Sequence, residues 1–133
     1  MNNQTVLFVD DNPAMLKLLT LLLSREGYTV QTATGGAEAL EVLGCLMPDA
    51  VLTDLQMPRM NGLELTQLIR SNPRTADTFI LVVSAFAMQA NIDEARSAGC
   101  DGYITKPIDT RTFAAEVGRY LQRGRTAQPL VLA

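Results

Sequence analysis

Carboxylate, hydroxyl and amine side chains stand directly after four separate apolar runs of the sequence. They are Asp10 and Asp11 after the first run, Asp54, Ser84, and Lys106 after the last. Clustered carboxylates repel one another, and a hard divalent cation such as Mg²⁺ relieves that repulsion through oxygen ligands. A carboxylate also attacks phosphorus to give an acyl phosphate, a reaction that depends on positioning and charge neutralisation. These residue types therefore indicate metal-assisted phosphoryl transfer, in which a lysine and a hydroxyl contact the phosphoryl oxygens.

The chain's alternation of apolar runs and helix-period segments predicts how these residues meet. Strands are predicted over residues 5–9, 29–33, 50–53, 79–83 and 102–105, and helices over 13–26, 36–43, 61–70, 91–98 and 109–123. Five strands alternating with five helices predict an α/β fold: a doubly wound, five-stranded parallel sheet with helices on both faces. Ligands bind such a sheet at the carboxyl ends of its strands, so the five residues should converge on one edge.

Composition narrows the class of protein. The chain has 133 residues and a net charge of -3, enough for one domain and too acidic for a phosphate-backbone binder, so nucleic acid is not expected as a partner. Apolar stretches are shorter than a membrane span and the first residues show no secretory pattern, which predicts a cytoplasmic protein without membrane contact.

The histidine count is zero, which excludes imidazole chemistry. Cys45 and Cys100 form no CxxC pair and are expected to be reduced, partly buried packing residues.

Four sequence motifs carry a family resemblance. They are Val-Asp-Asp-Asn at 9–12, Leu-Thr-Asp-Leu-Gln-Met-Pro-Arg-Met-Asn-Gly at 52–62, Val-Ser-Ala at 83–85 and Gly-Tyr-Ile-Thr-Lys-Pro at 102–107. In order and spacing they resemble the receiver domains of two-component response regulators, over about residues 5–123. The resemblance implies a flavodoxin-like (βα)5 fold with strand order 2-1-3-4-5. We expect a receiver domain over 1–123 and a flexible tail over 124–133.

The resemblance also implies a role for each matching residue. Asp54 matches the phosphoacceptor, Asp11 the direct Mg²⁺ ligand, Asp10 the acid that holds the metal through water, and Gln56 the residue whose backbone carbonyl is a further ligand. Ser84 matches the switch hydroxyl, Tyr103 the switch aromatic, Lys106 the phosphate-binding lysine, and Lys106–Pro107 a peptide bond that is usually cis.

The function implied is phosphorelay signal transduction. Asp54 would accept a phosphoryl group from a histidine kinase or a histidine phosphotransfer protein, and the face formed by the fourth helix, fifth strand and fifth helix would then bind an unidentified protein. Such a domain assists its own phosphorylation and dephosphorylation but is not a turnover enzyme. A monomer or a weak phosphorylation-dependent dimer is expected.

Other interpretations stay open at this point. The domain could be a receiver fragment of a hybrid histidine kinase or multidomain regulator, or a phosphate sink without an output partner. A haloacid-dehalogenase-type phosphatase would need a second aspartate where Gln56 stands, and a flavodoxin-like mononucleotide binder would need a phosphate loop in place of Asp10 and Asp11.

Two apolar features fall outside these motifs. Phe86 lies two residues after Ser84, a position that in this family controls water access to the acyl phosphate, so its bulk is expected to slow dephosphorylation. Leucines cover a wide arc of the first helix, and Leu21 lies outside even that arc. One edge of this helix is therefore expected to be exposed as a docking surface for the phosphohistidine donor; the alternative is a leucine-rich helix that is simply over-buried.

Overall fold

The computed structural model describes residues 4–125 and the backbone of residues 130–132. The strands are β1 (Thr5–Val9), β2 (Thr29–Ala33), β3 (Ala50–Thr53), β4 (Phe79–Ser84), β5 (Gly102–Thr105) and β6 (Leu130–Leu132). The helices are α1 (Pro13–Ser24), α2 (Gly36–Cys45), α3 (Gly62–Ser71), α4 (Gln89–Ala98) and α5 (Phe113–Arg123). The predicted alternation of five strands and five helices is confirmed.

The strands form one parallel sheet in the order β2-β1-β3-β4-β5-β6. The predicted order 2-1-3-4-5 is confirmed, and β3 and β4, whose residues are all buried, lie in the middle as their apolar runs indicated. The sixth strand was not predicted, because three apolar residues give too short a pattern to distinguish a strand from a loop. The flexible tail predicted over 124–133 falls partly on residues 126–129 and 133, outside the described residues, and the boundary at 123 stays a prediction.

Side chains alternate between the two faces of the sheet and fill two cores. In β1, Val6 and Phe8 face the core that α1 and α5 cover, while Leu7 and Val9 face the core beneath α2, α3 and α4. The strands β1, β3 and β4 therefore bury both faces, which explains their nearly continuous apolar runs. The arrangement is the predicted doubly wound sheet, and it brings the carboxyl ends of β1, β3 and β5 to one edge.

Local capping explains where the helices begin. The Asn12 side chain accepts hydrogen bonds from the backbone at the start of α1, and Asn61 forms a capping box with Glu64 at the start of α3. The prediction that α5 begins at Asp109 is wrong, since the helix begins at Phe113. Asp109 instead caps a separate turn, in which its carboxylate accepts from the backbone N–H of Arg111.

The exposed surface agrees with the sequence for α1 and differs for one cysteine. Leu21 is 56% exposed, as its place outside the apolar arc predicted. Both cysteines are free, but only Cys100 is buried. Cys45 is exposed, so its prediction as a partly buried residue is wrong, because Gly36, Ala39 and Leu43 form the buried face of α2 and Cys45 lies off that face. None of the described helices has the length and apolar character that crossing a membrane requires.

Candidate functional site

The Lys106 side chain, at the end of β5, contacts residues at the ends of β1 and β3. Its Nζ lies 2.9 Å from Oδ2 of Asp54 and 3.3 Å from Oδ2 of Asp10. Asp10 follows β1, Asp54 follows β3, and Lys106 follows β5. Parallel pairing aligns these strand ends, so residues that are far apart in the chain meet at the edge that the sequence predicted.

Backbone N–H groups orient the Asp54 carboxylate. Its Oδ1 accepts from the N–H of Leu55 at 2.6 Å and from that of Gln56 at 3.4 Å, while Oδ2 accepts from Lys106. Gly62 keeps this turn compact, because a Cβ at that position would meet the backbone of Asp54 and Leu55. Side-chain reasoning missed the two N–H donors, although the close approach at Gly62 is a signal for a tight turn.

Burial and charge act in opposite directions at this site. Asp10 is 1% exposed, and burial raises the pKa of its carboxyl, although the N–H of Asn12 and the charge of Lys106 oppose that rise. Burial alone would lower the pKa of Lys106, but hydrogen bonding to Asp54 and the charges of both acids raise it overall. A positive group is thus held between two acids, which is the charge arrangement that an incoming phosphoryl group would meet.

Asp11, Gln56 and Phe86 line a cleft beside Asp54. Within residues 4–125, no three acidic or cysteine side chains are close enough to form a ready-made metal cage. Mg²⁺ does not need one, since it is commonly held by one or two carboxylates, a carbonyl and several waters. The donor set here is entirely oxygen, the Asp10 carboxylate is buried, and Asp11 opens onto the same cleft. These residues therefore fit a magnesium ion.

Ser84 and Tyr103 form a second group behind the cleft. The buried Ser84 hydroxyl accepts from the N–H of Phe86 at 3.2 Å. The Tyr103 hydroxyl donates to the carbonyl of Phe86 at 2.5 Å, and Tyr103 is 1% exposed. Burial raises the pKa of Tyr103, and hydrogen bonding to Ser84 partly opposes that rise. The loop after β4 is therefore held by both predicted switch residues, and the Tyr103 ring lies inside the protein.

The Lys106–Pro107 peptide bond is cis. Among the predicted site residues, the structure brings Asp10, Asp54 and Lys106 into direct contact. It places Asp11 and Gln56 on the wall of the neighbouring cleft.

Comparisons with known proteins agree with this geometry. Residues 6–118 match the response regulator receiver domain. The chain is 33% identical over 118 residues to the polar-differentiation response regulator DivK of Brucella anthropi, covering 89% of this chain and 96% of DivK. The chemotaxis protein CheY4 of Vibrio cholerae superposes with a TM-score of 0.85 at 28% identity, covering 90% of this chain and 99% of CheY4.

A further solved structure bears on the metal. The receiver domain of the sensor histidine kinase PA1611 from Pseudomonas aeruginosa, described with a magnesium ion coordinated in the active site cleft, has a TM-score of 0.80. It is 29% identical, and the alignment covers 92% of this chain and 98% of that domain. These relatives are signalling proteins, which favours neither a phosphatase nor a mononucleotide binder. On the family match and the shared fold, the chain belongs to the response regulator receiver domains of two-component systems.

Proposed function

We propose that Asp54 accepts a phosphoryl group from a phosphohistidine on a histidine kinase or phosphotransfer protein in the cytoplasm. The observation that carries this proposal is the position of Lys106 Nζ, 2.9 Å from Asp54 and 3.3 Å from Asp10. This places a cation against the carboxylate that would attack and beside a second, buried acid. These 133 residues contain no histidine, so they do not supply the phosphohistidine themselves.

The transfer would form one bond and break one. An oxygen of Asp54 bonds to phosphorus, the phosphorus–nitrogen bond of the donor breaks, and the imidazole leaves with that electron pair. The N–H groups of Leu55 and Gln56 hold the carboxylate in place. Lys106 then contacts a phosphoryl oxygen. Because these groups are already positioned, little reorganisation is needed when charge builds up on the phosphoryl oxygens.

Magnesium would be held by the carboxylates of Asp10, Asp11 and Asp54 and by the backbone carbonyl of Gln56. When bound, it supplies neutralisation of the phosphoryl and carboxylate charges. The oxygen-only donor set, with Asp10 buried and Asp11 open to the cleft, supports this assignment.

The signal would pass through the loop after β4. A phosphoryl group on Asp54 attracts the Ser84 hydroxyl, which now accepts from Phe86. The Phe86 carbonyl also accepts a hydrogen bond from the Tyr103 hydroxyl. Displacement of Ser84 would therefore alter the position of the Tyr103 ring. The face formed by α4, β5 and α5 would then bind a downstream protein, as a two-state element biased by a local charge.

The direct test is phosphoryl uptake from acetyl phosphate, and binding of beryllofluoride, in the presence of Mg²⁺. Wild type is expected to gain one phosphoryl group, measured by intact mass. Asp54→Asn is expected to gain none, whereas Asp77→Asn, which changes a fully exposed acid elsewhere, is expected to behave as wild type. Failure of the wild-type chain to take up phosphoryl or beryllofluoride would refute the proposal.

A phosphate sink would share this chemistry and differ only in lacking a partner. Substitutions on the exposed surface of α4 and α5 that leave phosphoryl uptake unchanged distinguish the two roles. A messenger loses its signalling output with them, and a sink keeps its effect on the kinase.

A further inference from the structure

Asp101 is a buried acid at the opposite end of the sheet from Asp54. It precedes β5, is 3% exposed, and bonds on three sides. Its Oδ2 accepts from Arg70 Nη2 at 2.7 Å and from the N–H of Ile80 at 2.9 Å. Its Oδ1 accepts from Arg125 Nε at 2.9 Å. The first two bonds hold the core together, but the third ties down a residue that follows the last helix.

Arg125 makes further contacts at the same place. Its Nη1 donates to the carbonyl of Ala76 at 3.1 Å and lies 3.5 Å from the carboxylate of Asp77. Three acceptors on two segments of the domain therefore hold the Arg125 side chain. These contacts fix its position although Arg125 lies beyond the end of α5. An arginine fork fixes direction as well as position. The contacts therefore hold Arg125, which follows α5, beside the amino end of β5.

Residues 130–132 pair with β5. The register joins Gly102 to Leu130, Tyr103 to Val131 and Ile104 to Leu132, in parallel. The first pair begins one residue after Asp101, so the ion pair and the strand pairing are adjacent. Only residues 126–129 separate Arg125 from β6, which keeps the effective concentration of the strand at this edge high.

Detachment of β6 from β5 is expected to cost little free energy, because the domain offers the β5 backbone another hydrogen-bond partner. The Tyr120 hydroxyl accepts from the N–H of Tyr103 at 3.3 Å and donates to the Tyr103 carbonyl at 3.2 Å. Its ring packs against Gly102 so closely that a Cβ there would collide with it. The middle residue of the β5–β6 pairing therefore has a second hydrogen-bond partner within the domain. Three residue pairs are too few to make a strand permanent.

We propose that residues 130–132 form a detachable strap, held in cis on the β5 edge by the Arg125–Asp101 ion pair, that closes this edge to other strands. An open edge strand is a template for pairing with another chain, and the strap occupies that template. A partner that binds through β5 must displace the strap first. This consequence rests on the proposed function.

Hydrogen–deuterium exchange of the full chain, without phosphorylation, tests the strap directly. Leu132→Pro removes the strap N–H that faces the Tyr103 carbonyl and is expected to speed exchange in 102–104 and 130–132 by roughly tenfold. Leu132→Ile keeps this N–H and is expected to match wild type. Arg125→Gln is expected to speed exchange in the same two segments by about fivefold, whereas Arg119→Gln, which changes an exposed arginine of α5, is expected to leave it unchanged.

The contrary results are distinct. Wild-type exchange rates in Leu132→Pro would show that the strand is not docked and would overturn the proposal. A rise spread equally over β1 and β5 would also count against it, because that pattern reports loss of overall stability rather than opening of one edge. None of these outcomes depends on Asp54, so the proposed phosphoryl acceptance stands or falls separately.

Discussion

The ammonium group of Lys106 lies 2.9 Å from Oδ2 of Asp54. Before any phosphoryl group arrives, the lysine therefore neutralises part of the charge of the carboxylate that we propose as the nucleophile, and of Asp10 beside it. After transfer the same group is placed to contact a phosphoryl oxygen. One side chain would thus stabilise the empty and the phosphorylated site with little movement.

Replacement of this lysine is expected to slow phosphoryl uptake. Lys106→Met removes one charged contact to the transferring group, and loss of such a donor costs about a hundredfold in rate. The measurement is the rate of acyl phosphate formation from acetyl phosphate at fixed Mg²⁺. The chain's other lysine, Lys17, is exposed on α1, and Lys17→Met is the matched control. An unchanged rate in Lys106→Met would remove the lysine from the proposed mechanism.

Phe86 is expected to lengthen the life of the acyl phosphate. It is 38% exposed and lines the cleft beside Asp11 and Gln56, where its ring narrows the approach of water. Phe86→Ala should therefore shorten the phosphoryl half-life several-fold, measured by loss of phosphorylated protein after the donor is removed. Met88→Ala, which truncates a more exposed apolar residue of the same loop, should leave the half-life unchanged. Equal half-lives in wild type and Phe86→Ala would sink the idea.

Sequence reasoning could predict the site because its residues are tied to strand ends. Asp10, Asp54 and Lys106 each follow an apolar run, and parallel pairing brings such ends together whatever the intervening helices contain. The fold follows for the same reason, since alternation of apolar runs and helix-period segments leaves few topologies open.

The features that escaped prediction depend on contacts without a sequence pattern. The N–H groups that orient Asp54 belong to the backbone, which is the same for every residue type. Asp101 directly precedes the motif at 102–107 but is not part of it, and its arginine partners lie 31 and 24 residues away in the chain. The delayed start of α5 depends on whether Asp109 caps a turn or a helix, a choice that tertiary packing makes.

Loss of Arg70 is expected to destabilise the fold more than loss of an exposed arginine. Besides Asp101, it donates to the carbonyls of Gly99 and Ala76 at 3.0 and 2.8 Å. Arg70→Met leaves a buried acid with one partner fewer and removes a hydrogen bond from each of these carbonyls, at a cost of about 3 kcal/mol. Urea unfolding at neutral pH measures the loss. Arg96→Met, which changes an exposed arginine of α4, should cost far less, and equal losses in the two variants would contradict the role assigned to Arg70.

The two cysteines are expected to differ sharply in reactivity. Burial raises the pKa of the Cys100 thiol from its ordinary 9.0 to about 12, with the Asp101 charge contributing, and the thiolate is the reactive form. At pH 8 a maleimide should therefore label Cys45, which is exposed, and leave Cys100 unlabelled. Cys45→Ser should take up no label until urea unfolds the chain. Rapid labelling of the folded Cys45→Ser variant would show that the Cys100 thiol is accessible after all.

The same shift sets a direction for alkaline stability. The pKa of the Cys100 thiol is 9.0 in the unfolded chain and about 12 in the folded one, so the folded state binds more protons between these values. Stability from this group is complete below about pH 9 and falls as pH rises towards 12. Cys100→Ala should flatten the decline in unfolding free energy over that window, measured by urea titration at several pH values. A decline as steep in the variant as in wild type would assign the alkaline loss to other groups.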